Sequence, residues 1–225
     1  MRIIFATANP GKLREAAEVL GPDYEVVSPA SLGITEDIPE TGSTLQENSL
    51  QKARYLFERT GLPCFADDTG LEVDALGGAP GIYSARYAGP GHDSQANMEK
   101  LLAEMKDKPS RRARFHTVVT LILADGETHF FEGICEGAIA RERHGAGGFG
   151  YDPVFLPDAY PGRTLAEVSE EEKNAVSHRG RALQAMSRWL SACSALSSAM
   201  TGDGSPDTPS VAGSEPISTD HDLAL

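Results

Sequence analysis

The chain has 225 residues, 40% hydrophobic and 24% charged, the balance of a soluble globular protein with one sizeable domain or two lobes over a shared core. Its net charge of −13 argues against non-specific binding to nucleic acid or anionic lipid. No apolar span of membrane length is present, Met1 to Phe5 lacks signal-peptide character, and Cys64, Cys135 and Cys193 are too few and too scattered for a disulfide framework or a zinc site, all of which fits a reducing cytoplasm without a membrane partner.

Residues 2–6 read as a compact apolar strand. The small-residue loop Thr7-Ala8-Asn9-Pro10-Gly11-Lys12 follows, then a helix with Leu13, Ala16, Ala17 and Leu20 at its apolar positions. Strand, short loop and helix in that order aim backbone N–H groups at an anion. Lys12 is badly placed for the helix dipole, and a bound phosphate would remove that objection. Residues 24–28 form a second strand, followed by an irregular span containing Pro39-Glu40-Thr41-Gly42. Thr44 and Glu47 make a capping box opening a helix that ends near Thr60, before Gly61 and Pro63. Asn48 and Lys52 lie along one edge of its apolar stripe and can reach whatever that stripe packs on.

The next stretch, Phe65-Ala66-Asp67-Asp68-Thr69-Gly70-Leu71-Glu72-Val73, begins as a buried strand and delivers two adjacent carboxylates. Gly70 is expected to allow a tight turn before the alternation resumes. Two buried acids side by side repel, and a divalent cation would relieve them while leaving a carboxylate to act as a base. In isolation the pair reads more readily as a solvated acidic turn, and the rest of the chain reverses that reading.

Residues 77–91 hold too much Gly and Pro for a regular element and too many aromatics for a slack linker, so they read as an ordered loop. Ser94 is expected to cap a helix with Met98, Leu101, Leu102 and Met105 on one face. Residues 114–124 carry the strongest strand pattern, turned by Asp125-Gly126 into a second long strand to Arg141. A glycine-rich loop, Gly145 to Pro153, then carries Phe149, Tyr151 and Asp152. Ser169 and Glu172 form another capping box, and the helix either runs on through His178-Arg179 or restarts with Ser177 as cap, ending near Leu190. Beyond it, residues 191–225 hold Asp203, Asp207, Glu215, Asp220 and Asp222 with no Lys or Arg and no periodicity, the composition of a disordered tail.

The motifs TANPGK, IPETGSTLQENSLQKA, FADDTGLEVDALGGAPGIYSARYAG, GGFGYDPVF and TLAEVSEEEKNAVSHRGRAL occur in one order across residues 1–190. In these the chain resembles the inosine triphosphate pyrophosphatase family, with Thr69 where that family more often has serine and with no family counterpart to residues 191–225. The resemblance implies an α/β fold with an elongated central mixed β-sheet, helices on its faces, and two lobes with a cleft between them. It also implies a homodimer, a need for Mg2+, and hydrolysis of deaminated purine nucleoside triphosphates (ITP, dITP, XTP) to monophosphate and pyrophosphate. A related-fold pyrophosphatase acting on pyrimidine or modified triphosphates is the alternative.

Carried onto this chain, the resemblance makes Thr7, Ala8, Asn9, Pro10, Gly11 and Lys12, with Lys52 and Lys173, the phosphate holders. Asp68 becomes the general base and a metal ligand beside Glu40, with Asp67 close by and Thr69 in the substrate site. Phe149, Gly150, Tyr151, Asp152, Lys173, His178 and Arg179 become the base pocket. The chemistry suits those residue types. Phe149 can stack on a purine, and His178 or Arg179 could donate to a C6 oxygen, which an amino group at that position could not accept.

Overall fold

The computed structural model describes residues 1–201, with side chains described as far as Ser194. Among the described residues seven strands form one mixed sheet. β1 (Arg2–Phe5) lies parallel to both β2 (Glu25–Val27) and β3 (Cys64–Val73). β3 pairs antiparallel with the short β4 (Pro80–Gly81) and, over its whole length, with β5 (Arg112–Ile122). A hairpin closed by Leu123 and Glu127, with Gly126 at φ 87°, leads into β6 (Thr128–Ile139), which carries β7 (Phe155–Pro157) at the far edge.

The helices follow from their caps. α1 (Pro10–Leu20) starts at Asn9, whose side chain accepts from the Gly11 and Lys12 N–H groups, with Pro10 in the first turn where a missing N–H costs nothing. α2 (Leu45–Thr60) starts at Thr44 as expected, but Glu47 reaches back to the N–H and hydroxyl of Ser43, one residue beyond the cap. α3 (Ser94–Glu104) is capped by Asp93, not Ser94: the Asp93 carboxylate takes the Gln95 and Ala96 N–H groups. α4 (Glu170–Val176) has the full Ser169–Glu172 capping box. The chain then breaks at Ser177, held extended at ψ 152°, and its hydroxyl accepts from the Gly180 N–H to start α5 (His178–Thr201). Of the two readings of this segment, the restart is the one found.

α5 continues to Thr201, past the expected end near Leu190, and Ser194 meets the Tyr24 hydroxyl. The remainder of the expected disordered tail, residues 202–225, lies outside the described residues. Gly70 makes no turn, because β3 is continuous through it. A Cβ there would lie 2.9 Å from the Gly81 carbonyl oxygen, so the glycine is needed for close approach of β4.

The period of two in β3 and β5 sorts the core. Odd-numbered residues Phe65, Val119 and Leu121 face α1 and α5, together with Ile3 and Phe5. Further along the same face Leu71, Val73, Ala113 and Phe115 join α3, Tyr151 and Phe155 in a second cluster. Even-numbered Cys64, Ala66 and Ile122 face α2. The two clusters on the odd face form the floors of two lobes, and the polar residues between them mark the cleft.

Candidate active site

The pleat separates Asp67 from Asp68. Asp67 lies on the face of α1 and α5, and Asp68 on the face of α2. Each has its own basic partner, so the repulsion expected from their adjacency is relieved within the protein. Lys12 Nζ sits 3.0 Å from both Asp67 oxygens, and Arg179 Nε donates to Asp67 Oδ2 at 2.8 Å. Burial alone would raise the Asp67 carboxyl, but Lys12 and Arg179 hold it well below the usual carboxylate range. Burial lowers Lys12, and Asp67 offsets only part of that.

Asp68 accepts from Lys52 Nζ at 3.1 Å and from Asn48 Nδ2 at 3.2 Å. The same ammonium donates to Glu40 at 2.5 Å, and Arg86 stands 3.9 Å from the other Glu40 oxygen. Two carboxylates thus share one lysine. Burial raises Asp68, Lys52 counters, and the nearby Glu40 charge raises it again; Lys52 itself is raised by its acids against its own burial. Asn48 and Lys52 reach this point from the edge of α2, as the helical spacing requires.

Arg179 is 2% exposed and already engaged. Besides Asp67 it donates from Nη1 to Glu15 at 2.9 Å, leaving Nη2 as its uncommitted end among the described residues. Glu15 was missed in the sequence, although a carboxylate one residue before Ala16 on the buried side of α1 is the signal that could have found it.

The glycine-rich loop is tied from within. Asp152 accepts from the Phe149 N–H at 2.7 Å and from Lys173 Nζ at 2.8 Å, and Tyr151 donates to the Ser84 carbonyl at 2.8 Å. Gly148 adopts φ 72°, and a Cβ on it would overlap Asp152. Phe149 is left 37% exposed with the Lys173 ammonium 4.4 Å from its ring centre. Its ring also borders Gly11.

These groups line two adjoining compartments. One, of about 540 Å³, is walled by Thr7, Ala8, Asn9, Lys12, Glu40 and Lys52. The other, of about 250 Å³, is walled by Thr69, Phe149, Gly150, Tyr151, Asp152, Lys173, His178 and Arg179. Asn9, Lys12 and His92 border both. Lys173 therefore lies on the aromatic side, which Lys12 also borders, and not in the compartment that Lys52 lines. Pro10 and Gly11 begin α1 and line neither compartment, and Asp68, bonded to Lys52, likewise borders neither. The N–H groups of Gly11 and Lys12 are taken by Asn9 and that of Asn9 by Thr7, so of the loop's amides Ala8 has no partner among the described residues.

His178 is buried, and its imidazole is held well below its ordinary value by desolvation and by the neighbouring Arg179 and Lys173 charges. Among the described residues no three His, Cys, Asp or Glu groups cluster to hold a metal ion. Glu40 and Asp68 supply two hard oxygen donors around a single lysine, a donor type that suits a hard divalent cation completed by waters and substrate phosphate oxygens.

Fold and site define an α/β protein with a cation-lined cleft beside paired carboxylates and an aromatic compartment next to it. Residues 3–189 match the family model of the Ham1 family, and the chain belongs to that family. It is 52% identical over 190 residues to the dITP/XTP pyrophosphatase of Porphyromonas gingivalis, covering 84% of this chain and 97% of that one. With the dITP/XTP pyrophosphatase of Bacillus subtilis it shares 47% over 192 residues, covering 84% and 96%. The solved Ham1 protein of Staphylococcus aureus superposes with a TM-score of 0.78 at 40% identity, covering 85% of this chain and 99% of that one.

Proposed function

We propose that this protein hydrolyses deaminated purine nucleoside triphosphates, ITP, dITP and XTP, to the monophosphate and pyrophosphate. The observation that carries the reading is the pair Glu40 and Asp68 on one Lys52 ammonium at the wall of a cation-lined cleft, with an exposed aromatic in the next compartment. The printed activity of relatives up to 52% identical supports the same substrate class.

Lys12, Lys52 and the Ala8 N–H, which has no partner among the described residues, bind the phosphates. Glu40 and Asp68 would hold Mg2+, which would neutralise phosphate charge when bound. Asp68 orients a water and takes its proton as the oxygen bonds to the α-phosphorus and the bond to the β-phosphate bridging oxygen breaks, so pyrophosphate leaves as one unit. The raised carboxyl of Asp68 suits proton acceptance. Phe149 stacks on the purine, and His178 with Arg179 Nη2 reads its C6 oxygen. The active form is a homodimer, a state supported by Phe130 and Ile134, which stand 39% and 37% exposed on one face of β6.

The test is a product assay with dITP and magnesium that resolves monophosphate plus pyrophosphate from diphosphate plus phosphate. Release of inorganic phosphate alone overturns the reading. So does a preference for a pyrimidine or modified triphosphate in competition.

A further inference from the structure

Across three strands the register sets Thr69, Thr117 and Gly133 in one row on the face beneath α5. Gly133 leaves the row open there: a Cβ on it would lie 1.9 Å from the His178 carbonyl oxygen, so only glycine lets the start of α5 come down onto the sheet. Thr117, fully buried, then meets two partners. Its Oγ1 is 2.7 Å from Thr69 Oγ1 and 2.6 Å from His178 Nδ1. Phe115, two residues earlier on the same face, stacks on the imidazole with ring centres 4.6 Å apart and planes 28° apart. The ring is therefore fixed in orientation, and its Nε2 has no hydrogen-bond partner among the described residues.

A neutral imidazole carries one N–H, and desolvation keeps this one neutral. A hydroxyl has one hydrogen to give, so a continuous relay through Thr117 runs in one of two directions. If His178 Nδ1–H donates to Thr117, then Thr117 donates to Thr69, and Nε2 presents a lone pair to the aromatic compartment. If Thr69 donates to Thr117 and Thr117 to Nδ1, then Nε2 carries the hydrogen and presents a donor. The first arrangement suits an amino group on the base; the second suits a keto oxygen.

We infer that Thr117 is a positioning residue for base choice: by donating to Nδ1 it holds His178 as the Nε2–H tautomer, which offers a donor to the C6 oxygen of a deaminated purine. The inference rests on the proposed substrate class for its functional consequence, but the tautomer can be read without substrate. Thr117 touches no reacting atom. Its effect passes through His178 alone.

The deciding measurement is the 15N spectrum of the imidazoles in the intact protein, with the His178 signals assigned by their loss in a His178→Gln variant. The expected result is an unprotonated Nδ1 and a protonated Nε2 at neutral pH. A protonated Nδ1 in the wild type overturns the inference, whatever the activity data show. Thr117→Val removes the hydroxyl at constant shape and should leave a mixture of tautomers. It should also lower kcat/KM for dITP about tenfold, chiefly through KM, and narrow the dITP-to-dATP ratio by the same factor, because one buried hydrogen bond is lost far from the phosphorus. Thr117→Ser should restore both the spectrum and the ratio, which a purely structural role for the side chain would not require. A Thr117→Val protein with the wild-type spectrum and ratio sinks the proposal. Absence of dITP hydrolysis by the wild type would sink the substrate class instead and leave the tautomer result standing.

Discussion

Asp68 sits where burial and the Glu40 charge raise its carboxyl, a poor arrangement for stability and a useful one for accepting a proton from water. Asp68→Asn keeps the shape and the Asn48 neighbour but removes the base, so kcat should fall by about 10²-fold or more while the protein stays folded. Near-normal turnover at saturating magnesium would show that the base is elsewhere. His178 gives a test of electrostatics independent of turnover. Its folded value lies well below the ordinary 6.5 through desolvation and the Arg179 and Lys173 charges, so below about 6.5 the unfolded chain gains a proton that the folded site refuses. Its contribution is fully present above 6.5 and falls as pH drops, by up to about 1.4 kcal/mol per pH unit until the folded value is reached. Urea melts from pH 7.5 to 5.5 should therefore show wild type losing stability faster than His178→Gln. Parallel losses would mean that His178 protonates freely in the folded protein.

At the scale of elements, close approach of backbones decides where the functional side chains end up. α5 can bring His178 and Arg179 over the sheet because position 133 of β6 has no side chain, and β4 can flank β3 because position 70 has none. Gly133→Ala should cost roughly 1–3 kcal/mol, the usual penalty for forcing extra volume into a packed interior. It should also lower activity, since the displaced segment carries the His178 ring. Chemical denaturation and dITP turnover of the same variant check the two together, and an alanine tolerated in both would mean that α5 packs less closely than the geometry indicates. The buried trio Glu15, Arg179 and Asp67 works between elements in a similar way, tying α1, α5 and β3 with one guanidinium. That tie also limits Arg179 as a reader of the base, because two of its three nitrogens are already committed.

For the whole molecule, two expectations concern what lies beyond the site. The proposed homodimer predicts a species of twice the 24.0 kDa chain mass in sedimentation velocity, and Ile134→Lys, on the exposed face of β6, should shift it toward the monomer. A single species of chain mass at micromolar concentration would overturn the dimer. Since α5 runs to Thr201 and Ser194 touches Tyr24, truncation after Leu190 should lower the thermal midpoint, whereas truncation after Thr201 should leave turnover at the full-length value. Every candidate catalytic group precedes Leu190, so loss of activity in the longer truncate would place residues 202–225 in the working protein.

Local chemistry was enough to read much of the chain. Capping residues at Thr44 and Ser169, the strand patterns over residues 114–124 and 127–141, and the Asp125-Gly126 turn all act over a few residues, and they indicated α2, α4 and the long hairpin, whose strands fall at Arg112–Ile122 and Thr128–Ile139. The family motifs nominated the candidate site residues, because each motif is short and contiguous. What the sequence left open depended on contacts between distant segments. Whether Gly70 turned the chain was settled by β5 pairing with β3 along its full length, which leaves no freedom for a turn. Partners for Asp67 come from positions 12 and 179, and those for Asp68 from 48 and 52, so their charge balance is a property of packing. Thr117 shows the limit most plainly. A threonine between Phe115 and Val119 on one strand face is visible as a polar break in an apolar column, but its bond to His178 spans 61 positions of chain and exists only once α5 settles against Gly133.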